Sequence, residues 1–318
     1  MQAWEWALEL RTELLEWWQS DIGRRFSMGW TASRSVYNAF DANEQVGVTE
    51  FLKLSIASPF YVTAEMTDLL EHAAKTFPAT PLQPQDLPTD CGFVYLARDI
   101  DVLDINNKPL PFRAFAWGLA GSQTNPEQSV GIHLSLYAHK DNDPGREIAE
   151  QVHGLHPTLA FNHETGWNFG GDYSAQDRWV SGTIGGEDKV ATPEIVEENL
   201  RILRTIHCFF LLVQQRVGIP DTLQAGRQTR RRAQRAFPHR PIPDVRVITL
   251  RRPRVKPDGM PDRPGSIEYS HRWWVNSHWR RQWYESEGRH KPKFIEGYVK
   301  GPEDKPFQAK DTAYIWRR

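Results

Sequence analysis

The segment from Thr192 to Gly218 narrows the possible folds most. Thr192-Pro193-Glu194 supplies a capping hydroxyl, a proline suited to a first helical turn and an acid that favours a helix N-terminus. Ile195, Val196, Leu203, Ile206, Phe210, Val213 and Val217 then recur at helical spacing up to Gly218. Within this pattern Cys208-Phe-Phe-Leu-Leu-Val213 is apolar on every side, which predicts a helix enclosed by the rest of the fold. The run is far shorter than the roughly 20 apolar residues that cross a bilayer.

Other elements arrange themselves around it. Trp4, Leu8, Leu14, Leu15 and Trp18 predict an opening amphipathic helix with its tryptophans in the core and Gly23 as its stop. Met66, Leu69, Leu70, Ala73 and Phe77 form one stripe after Thr63, predicting a helix over 64–76 that ends before a proline-rich connector from Pro78 to Pro88. Gly92 to Leu96, Phe112 to Trp117 and Val130 to Tyr137 are short aromatic and β-branched runs separated by turn residues such as Asn106-Asn107 and Asn125-Pro126, the pattern of an antiparallel sheet. From Gln224 to Pro264 the composition shifts to Arg230-Arg231-Arg232, Arg251-Arg252 and frequent prolines, which reads as a basic linker or extended arm. Tyr269 to Tyr284, Lys293 to Lys300 and Thr312 to Trp316 are strand-like runs of a small β unit.

The chain has 318 residues, 39% hydrophobic and 25% charged, so disorder, a collagen-like repeat and a polytopic membrane protein fit poorly, and the length favours two units. Its two cysteines, Cys91 and Cys208, make neither a disulfide framework nor a four-cysteine zinc site. The first eleven residues carry two acids before their first base, unlike a secretory signal, and the expected location is the cytoplasm, with no membrane partner.

A net charge of −1 conceals a division. Residues 1–200 hold 13 Lys+Arg against 29 Asp+Glu, a balance of −16, whereas residues 201–318 hold 26 against 11, a balance of +15. Either the basic part meets a nucleic acid, the ribosome or an acidic protein, or the two parts neutralise one another across an interface.

The sequence contains no phosphate-binding G-x-x-x-x-G-K-[ST], dinucleotide fingerprint, H-E-x-x-H or G-x-S-x-G. Gly170-Gly171 and Gly185-Gly186 read as turns, and the spacing of His153, His156 and His163 beside Glu164 matches no metal pattern. Neither a metal nor a cofactor is expected.

The distinctive segment is His271-Arg-Trp-Trp-Val-Asn-Ser-His-Trp-Arg-Arg-Gln-Trp-Tyr284. Arginine beside an aromatic face binds phosphate and stacks on a base, and histidine serves as donor, acid or base. As a strand it projects Ser277, Trp279, Arg281 and Trp283 to one side and His278, Arg280, Gln282 and Tyr284 to the other. Core packing is the reading for the tryptophans, and recognition the reading for His278 and the arginines. A ribonuclease using His271 or His278 with Arg281 is the catalytic alternative.

Ser277-His278-Trp279, followed by Trp283 and then Phe294-Ile-Glu-Gly-Tyr-Val299, resembles the carboxy-terminal signature of the second type V-A anti-CRISPR family: Gly-His-Trp, another Trp four residues on, and an aromatic-led strand. Upstream, Leu87-Pro-Thr-Asp-Cys-Gly-Phe-Val94 is similar to that family's Leu-Pro-x-x-Cys-x-aromatic-Val segment, and the two matches occur in the same order. The chain departs from the pattern at Trp274-Val275-Asn276, where a basic pair precedes the signature, and at Ser277, where the family has glycine. The resemblance implies a phage or mobile-element regulator that suppresses production of a CRISPR effector, or of another target, by translation-coupled transcript loss. Its implied partners are a nascent polypeptide together with the ribosome and mRNA in the bacterial cytoplasm.

The sequence therefore predicts an α+β protein with an acidic main domain over 1–220 built from helices and an antiparallel sheet, a basic proline-rich arm over 221–265 and a Trp-rich β unit over 266–318. The expected binding residues are His278, Trp279, Arg280, Arg281, Trp283 and Tyr284, with Arg230, Arg231 and Arg232 as sequence-independent contacts to phosphate. A non-enzymatic or weakly enzymatic regulator is the primary expectation. The rivals are an RNA-cleaving toxin-like enzyme and a basic RNA- or ribosome-binding adaptor.

Overall fold

The computed structural model describes residues 1–35, 46–78, 80–101, 111–121, 129–140, 157–170, 193–215, 218–250 and 269–308. They fall into two units, Met1–Leu250 and Arg251–Arg318. In the first, the order is α1 (Trp6–Gln19), α2 (Asp21–Ser35), α3 (Val46–Ile56), β1 (Ser58–Val62), α4 (Ala64–Lys75), β2 (Cys91–Ile100), β3 (Phe112–Gly121), β4 (Ser129–His139), β5 (Leu159–Asn168), α5 (Pro193–Val213), β6 (Gly218–Leu223), α6 (Arg227–Ala236) and β7 (Val245–Leu250). The strands form one sheet in the order β5-β4-β3-β2-β1-β7-β6.

The α+β class holds, but the sheet is mixed rather than wholly antiparallel. β2 to β5 run antiparallel in sequence, as do β6 and β7, while β1 lies parallel to both β2 and β7. A parallel neighbour needs a crossover, and α4 supplies it between β1 and β2. β1 is a five-residue strand with a proline at its second position, too short to announce itself by alternation.

Along β3, strand alternation sends large side chains to one face of the sheet and small ones to the other. Phe115 and Trp117 of β3 meet Phe209 and Phe210 of α5, with Phe60 of β1 beside them. On the opposite face Ala114 and Ala116 leave room for Leu10, Leu14, Trp17 and Trp18 of α1, which pack with Phe93, Tyr137 and Phe161. α5 is thus enclosed as its composition requires: residues Ile202, Leu203 and Ile206 to Val213 are all buried. The helix stops at Val213, earlier than the apolar pattern suggests, and Gly218 opens β6.

Two local expectations change. Gly23 does not stop the first helix. Ser20 ends it, its hydroxyl donating to Trp17 O (2.6 Å) and accepting from Gly23 N (3.1 Å), so one residue closes α1 and caps α2. Gly23 is needed for proximity, because a Cβ there would lie 2.1 Å from Trp17 O.

Residues 221–250, expected in a basic linker or arm, instead complete the main unit as the end of β6, then α6 and β7. The inner side of α6 carries the buried Thr229 and Ala233, and Ala233 packs with Ala7 and Leu8 of α1 and Val245 and Val247 of β7. Such small residues leave no apolar periodicity in an arginine-rich sequence, yet they let two helices approach closely. Residues 251–265, the rest of the expected arm, lie outside the described residues, as do 266–268, Asn106-Asn107, Asn125-Pro126 and Thr312 to Trp316.

The second unit contains β8 (Trp273–Val275), β9 (His278–Tyr284), β10 (Arg289–Ile295) and β11 (Tyr298–Lys300). β9 pairs with β10 and β8 with β11, both antiparallel. The register runs through without slippage: Val275 faces Tyr298 and His278 faces Ile295, leaving Asn276-Ser277 opposite Glu296-Gly297. The four strands are therefore one long two-stranded ribbon with a gap in its pairing. Its tip is a single turn over Glu285–Glu287 closed by Gly288 at φ 61°, a left-handed position that glycine adopts without strain.

Gly92 faces Trp117 across β2 and β3, and a Cβ there would fall 2.0 Å from Trp117 Cη2. Overpacking of this kind costs about 1–3 kcal/mol. Gly92→Ala is expected to lower the melting temperature by several degrees in a thermal scan, and Trp117→Phe in the same background to recover part of the loss. An unchanged melting temperature for Gly92→Ala would contradict this account of the core.

Candidate functional site

The ribbon carries most of the residues singled out from sequence. Because directly opposed residues share a face, Trp279, Arg281 and Trp283 stand with Phe294, Pro292 and His290. Trp279 meets Phe294 edge-on at 5.2 Å between ring centroids, and Trp283 meets His290 at 5.0 Å. Arg281 lies between the two indoles in this row and is exposed. The other face holds His278, Arg280, Gln282 and Tyr284 opposite Ile295, Lys293, Lys291 and Arg289. Glu287 neutralises Arg289 (2.9 Å) and reaches Lys291 (3.8 Å). Arg280 donates to the Gln282 side chain and sits directly opposite Lys293, so two like charges share one cross-strand pair.

The tryptophans are not the core that alternation suggests. Trp283 is 50% exposed and Trp274 53%. Among the described residues two strands have too little area to bury both faces, and part of each indole finds cover, Trp274 over Gly297 and Trp279 on Phe294. What results is an aromatic platform with a central guanidinium on one side and a basic patch on the other. Such a surface can stack on planar groups and bind phosphate or carboxylate.

The proposed catalytic set does not converge. His278 and Arg281 project from opposite faces, and the His278 ring donates from Nδ1 to Asn276 O at 2.9 Å. His271 belongs to a separate group at the base of the ribbon, packed on Trp273 at 5.4 Å and bonded through Nδ1 to the Ser270 hydroxyl at 3.0 Å. Lys300 lies over Tyr269 and Trp273 in the same group.

In the main unit, Glu5 fixes the start of α6. Its carboxylate accepts from Gln2 N and Gly226 N, each at 2.6 Å, and these bonds hold its pKa below the usual glutamate value. Of the arginine triplet, Arg232 is bound to Glu16 and Glu9 of α1, whose carboxylates raise its pKa, and Arg230 reaches Asp244 at 3.5 Å. Arg231 alone has no ion pair among the described residues. Part of the charge division is thus cancelled within one unit.

A buried polar cluster has no counterpart in the sequence reading. Lys53 of α3 donates to Glu50 (2.5 Å), to Ser135 Oγ (2.5 Å) and to His133 Nδ1 (3.1 Å). Ser135 in turn donates to Glu50 (2.6 Å), whose second oxygen accepts from the Tyr137 hydroxyl. Glu50 and Ser135 are fully buried and Lys53 nearly so, while His133 forms the partly exposed rim. Burial pushes the Lys53 pKa down against the pull of Glu50, and burial raises that of Tyr137. The signal was present but faint: Glu50 and Lys53 are the two charged residues of α3 and stand one turn apart, and His133, Ser135 and Tyr137 alternate along one side of β4. With its donors and acceptors matched and its nucleophiles sealed from solvent, the cluster reads as a structural tie.

Two further tyings use buried charge. Arg11 caps the end of α3 through Leu54 O (2.7 Å) and Ser55 O (2.9 Å), and burial lowers its pKa to about 10. His207 of α5 meets Asp86 at 3.3 Å in the interior. Among the described residues no group of His, Cys, Asp or Glu is placed to hold a metal ion, and His153 and His156 lie outside them. No helix among the described residues is long and apolar enough to cross a membrane.

No protein-family model matches the sequence, and no curated protein matches it. Among solved structures the chain is similar to the crystal structure of AcrVA2, with a TM-score of 0.36 and 12% identity over 92% of this chain and 93% of that one.

Removing one member of a buried ion pair strands the other, at a cost of about 3–5 kcal/mol. Glu50→Gln is expected to lower urea-unfolding stability by roughly 3 kcal/mol, and Glu50→Gln combined with Lys53→Met to recover more than half of that. Strictly additive losses would show that the two side chains do not act as a pair.

Proposed function

We propose that the chain is an anti-CRISPR-like regulator that lowers production of a target protein, with the aromatic and basic ribbon as its recognition surface. The observation that carries this reading is the place of the Ser277-His278-Trp279 and Trp283 signature on a solvent-facing ribbon, with Arg281 and half-exposed Trp283 side by side in one row. The second signature, Leu87 to Val94, leads into β2, where Gly92, Phe93 and Val94 are buried, so it is scaffold rather than contact surface. In the proposed mechanism the ribbon recognises a nascent polypeptide in the cytoplasm of a bacterial host, at the ribosome and its mRNA, and loss of the transcript depends on translation.

The ribonuclease alternative draws no support from the geometry, because His278 and Arg281 project from opposite faces of the ribbon and His271 stands in a separate group with Ser270 and Trp273. The adaptor alternative shares the same surfaces and differs in leaving the transcript intact.

The test is to express the protein in bacteria beside translated and untranslated versions of a type V-A effector transcript and to quantify both. The translated transcript alone is expected to fall, and Arg281→Ala and Trp283→Ala, both at exposed positions, are expected to restore it with no change in melting temperature. A translated transcript that stays at its control level would overturn the regulatory reading, and fully active variants would overturn the assignment to the ribbon.

A further inference from the structure

α6 presents five arginines in ten residues and no acid. Their bonding sorts them into two sets. Arg230 and Arg232 flank the buried Thr229 and Ala233 and are held by Asp244 and by Glu9 and Glu16. Arg227, Arg231 and Arg235 stand four residues apart on the outer side, all exposed, and none has an ion pair among the described residues. With Gln228 and Gln234 they line one shallow concavity.

The geometry points to this row as a binding site for the phosphodiester backbone of single-stranded nucleic acid, a surface separate from the ribbon and independent of the function proposed for it. Successive members are about 6 Å apart along the helix axis, so three guanidinium groups follow one line. Like charges at this spacing oppose each other in the free protein, and a polyanion laid along the row removes that repulsion. Each guanidinium forks two donors toward phosphate oxygens. Gln228 adds a neutral amide donor, and the Gln234 amide is already bound to Phe237 O and Pro238 O, which stiffens the end of the row.

A protein partner fits this face less well. Interfaces between proteins are anchored by buried aromatic or aliphatic side chains, and the concavity is lined only by arginine and glutamine. A membrane surface fits no better, since the apolar residues needed for insertion are missing from this side and the buried side is occupied by α1 and β7. With no aromatic platform on α6, contacts to the backbone would dominate and sequence preference would be weak.

The test uses the full-length protein with a fluorescein-labelled oligouridylate of about 20 nucleotides, long enough to exceed a single-strand site, and the oligodeoxythymidylate of equal length. Binding is followed by anisotropy between roughly 50 and 200 mM salt. Three phosphate contacts on a single strand predict that Arg227→Gln/Arg231→Gln/Arg235→Gln weakens binding at least ~10-fold at low salt and reduces the salt slope by about 2. The loss should be alike on RNA and DNA, while Arg281→Ala with Trp283→Ala leaves that slope component in place. The triple variant should also melt at or above the wild-type temperature, because repulsion is relieved and the packed face is untouched.

Absence of binding by the wild-type protein would overturn the proposal, as would a triple variant that binds like wild type. Discrimination of more than ~10-fold between RNA and DNA would exclude backbone contacts as the basis of binding. Displacement by polyglutamate at the same charge concentration as oligouridylate would reassign the row to acidic protein.

Discussion

The indole of Trp117 stands where β1, β2, β3 and α5 meet, and much of the main unit is arranged to receive it. It is fully buried against Phe60, Phe115, Phe209 and Phe210, its Nε1 donates to Thr89 O at 2.8 Å, and Gly92 leaves the space its ring fills. Burying one such aromatic contributes on the order of 2–3 kcal/mol, and the larger consequence is geometric. Once Trp117 and Phe115 occupy one side of β3, Ala114 and Ala116 must occupy the other, and that side admits Trp17 and Trp18 of α1. α5 has its apolar circumference because it lies on the crowded side.

On the opposite face the Glu50, Lys53, Ser135 and Tyr137 cluster acts on register more than on stability. A buried ion pair gains little net energy after desolvation. A slip of β4 by one residue, however, would turn His133, Ser135 and Tyr137 to the other side of the sheet and leave Glu50 and Lys53 bonded only to each other in the interior. The aromatic nucleus thus favours collapse, and the polar cluster selects one alignment among collapsed states. Arg11 extends the same logic by closing α3 at its carboxyl end.

The surfaces follow from what these interiors leave over. α6 is held by its small residues and by two of its arginines, and this fixes the other three as an outward row. The ribbon differs in kind: among the described residues it has two strands and no bulge and does not enclose its own aromatics, so Trp274 and Trp283 remain half in solvent. Exposed aromatics beside arginine are costly to keep in water and are suited to contact with a partner.

Several elements were determined by local pattern alone. α4 matches its expected span to within a residue because Thr63, the stripe from Met66 and the following prolines all act locally. The buried helix and the strands β2, β3 and β4 were legible for the same reason, as were the alternating faces of β9. Tertiary structure decided what depends on neighbours. The crossover that makes β1 parallel, the use of Thr229 and Ala233 as a packing face, and Gly23 as a point of close approach have no local signature, since each is defined by the element it touches. The same holds for function-bearing residues. Composition marked Arg230, Arg231 and Arg232 as equivalent, and only the placement of Glu9, Glu16 and Asp244 separates the two that tie the fold from the one that faces solvent. Strand periodicity placed Trp279, Arg281 and Trp283 on one side, but whether that side became core or surface depended on how many strands lay beside it, because burial is a property of the layer that covers a face and not of the sequence that forms it.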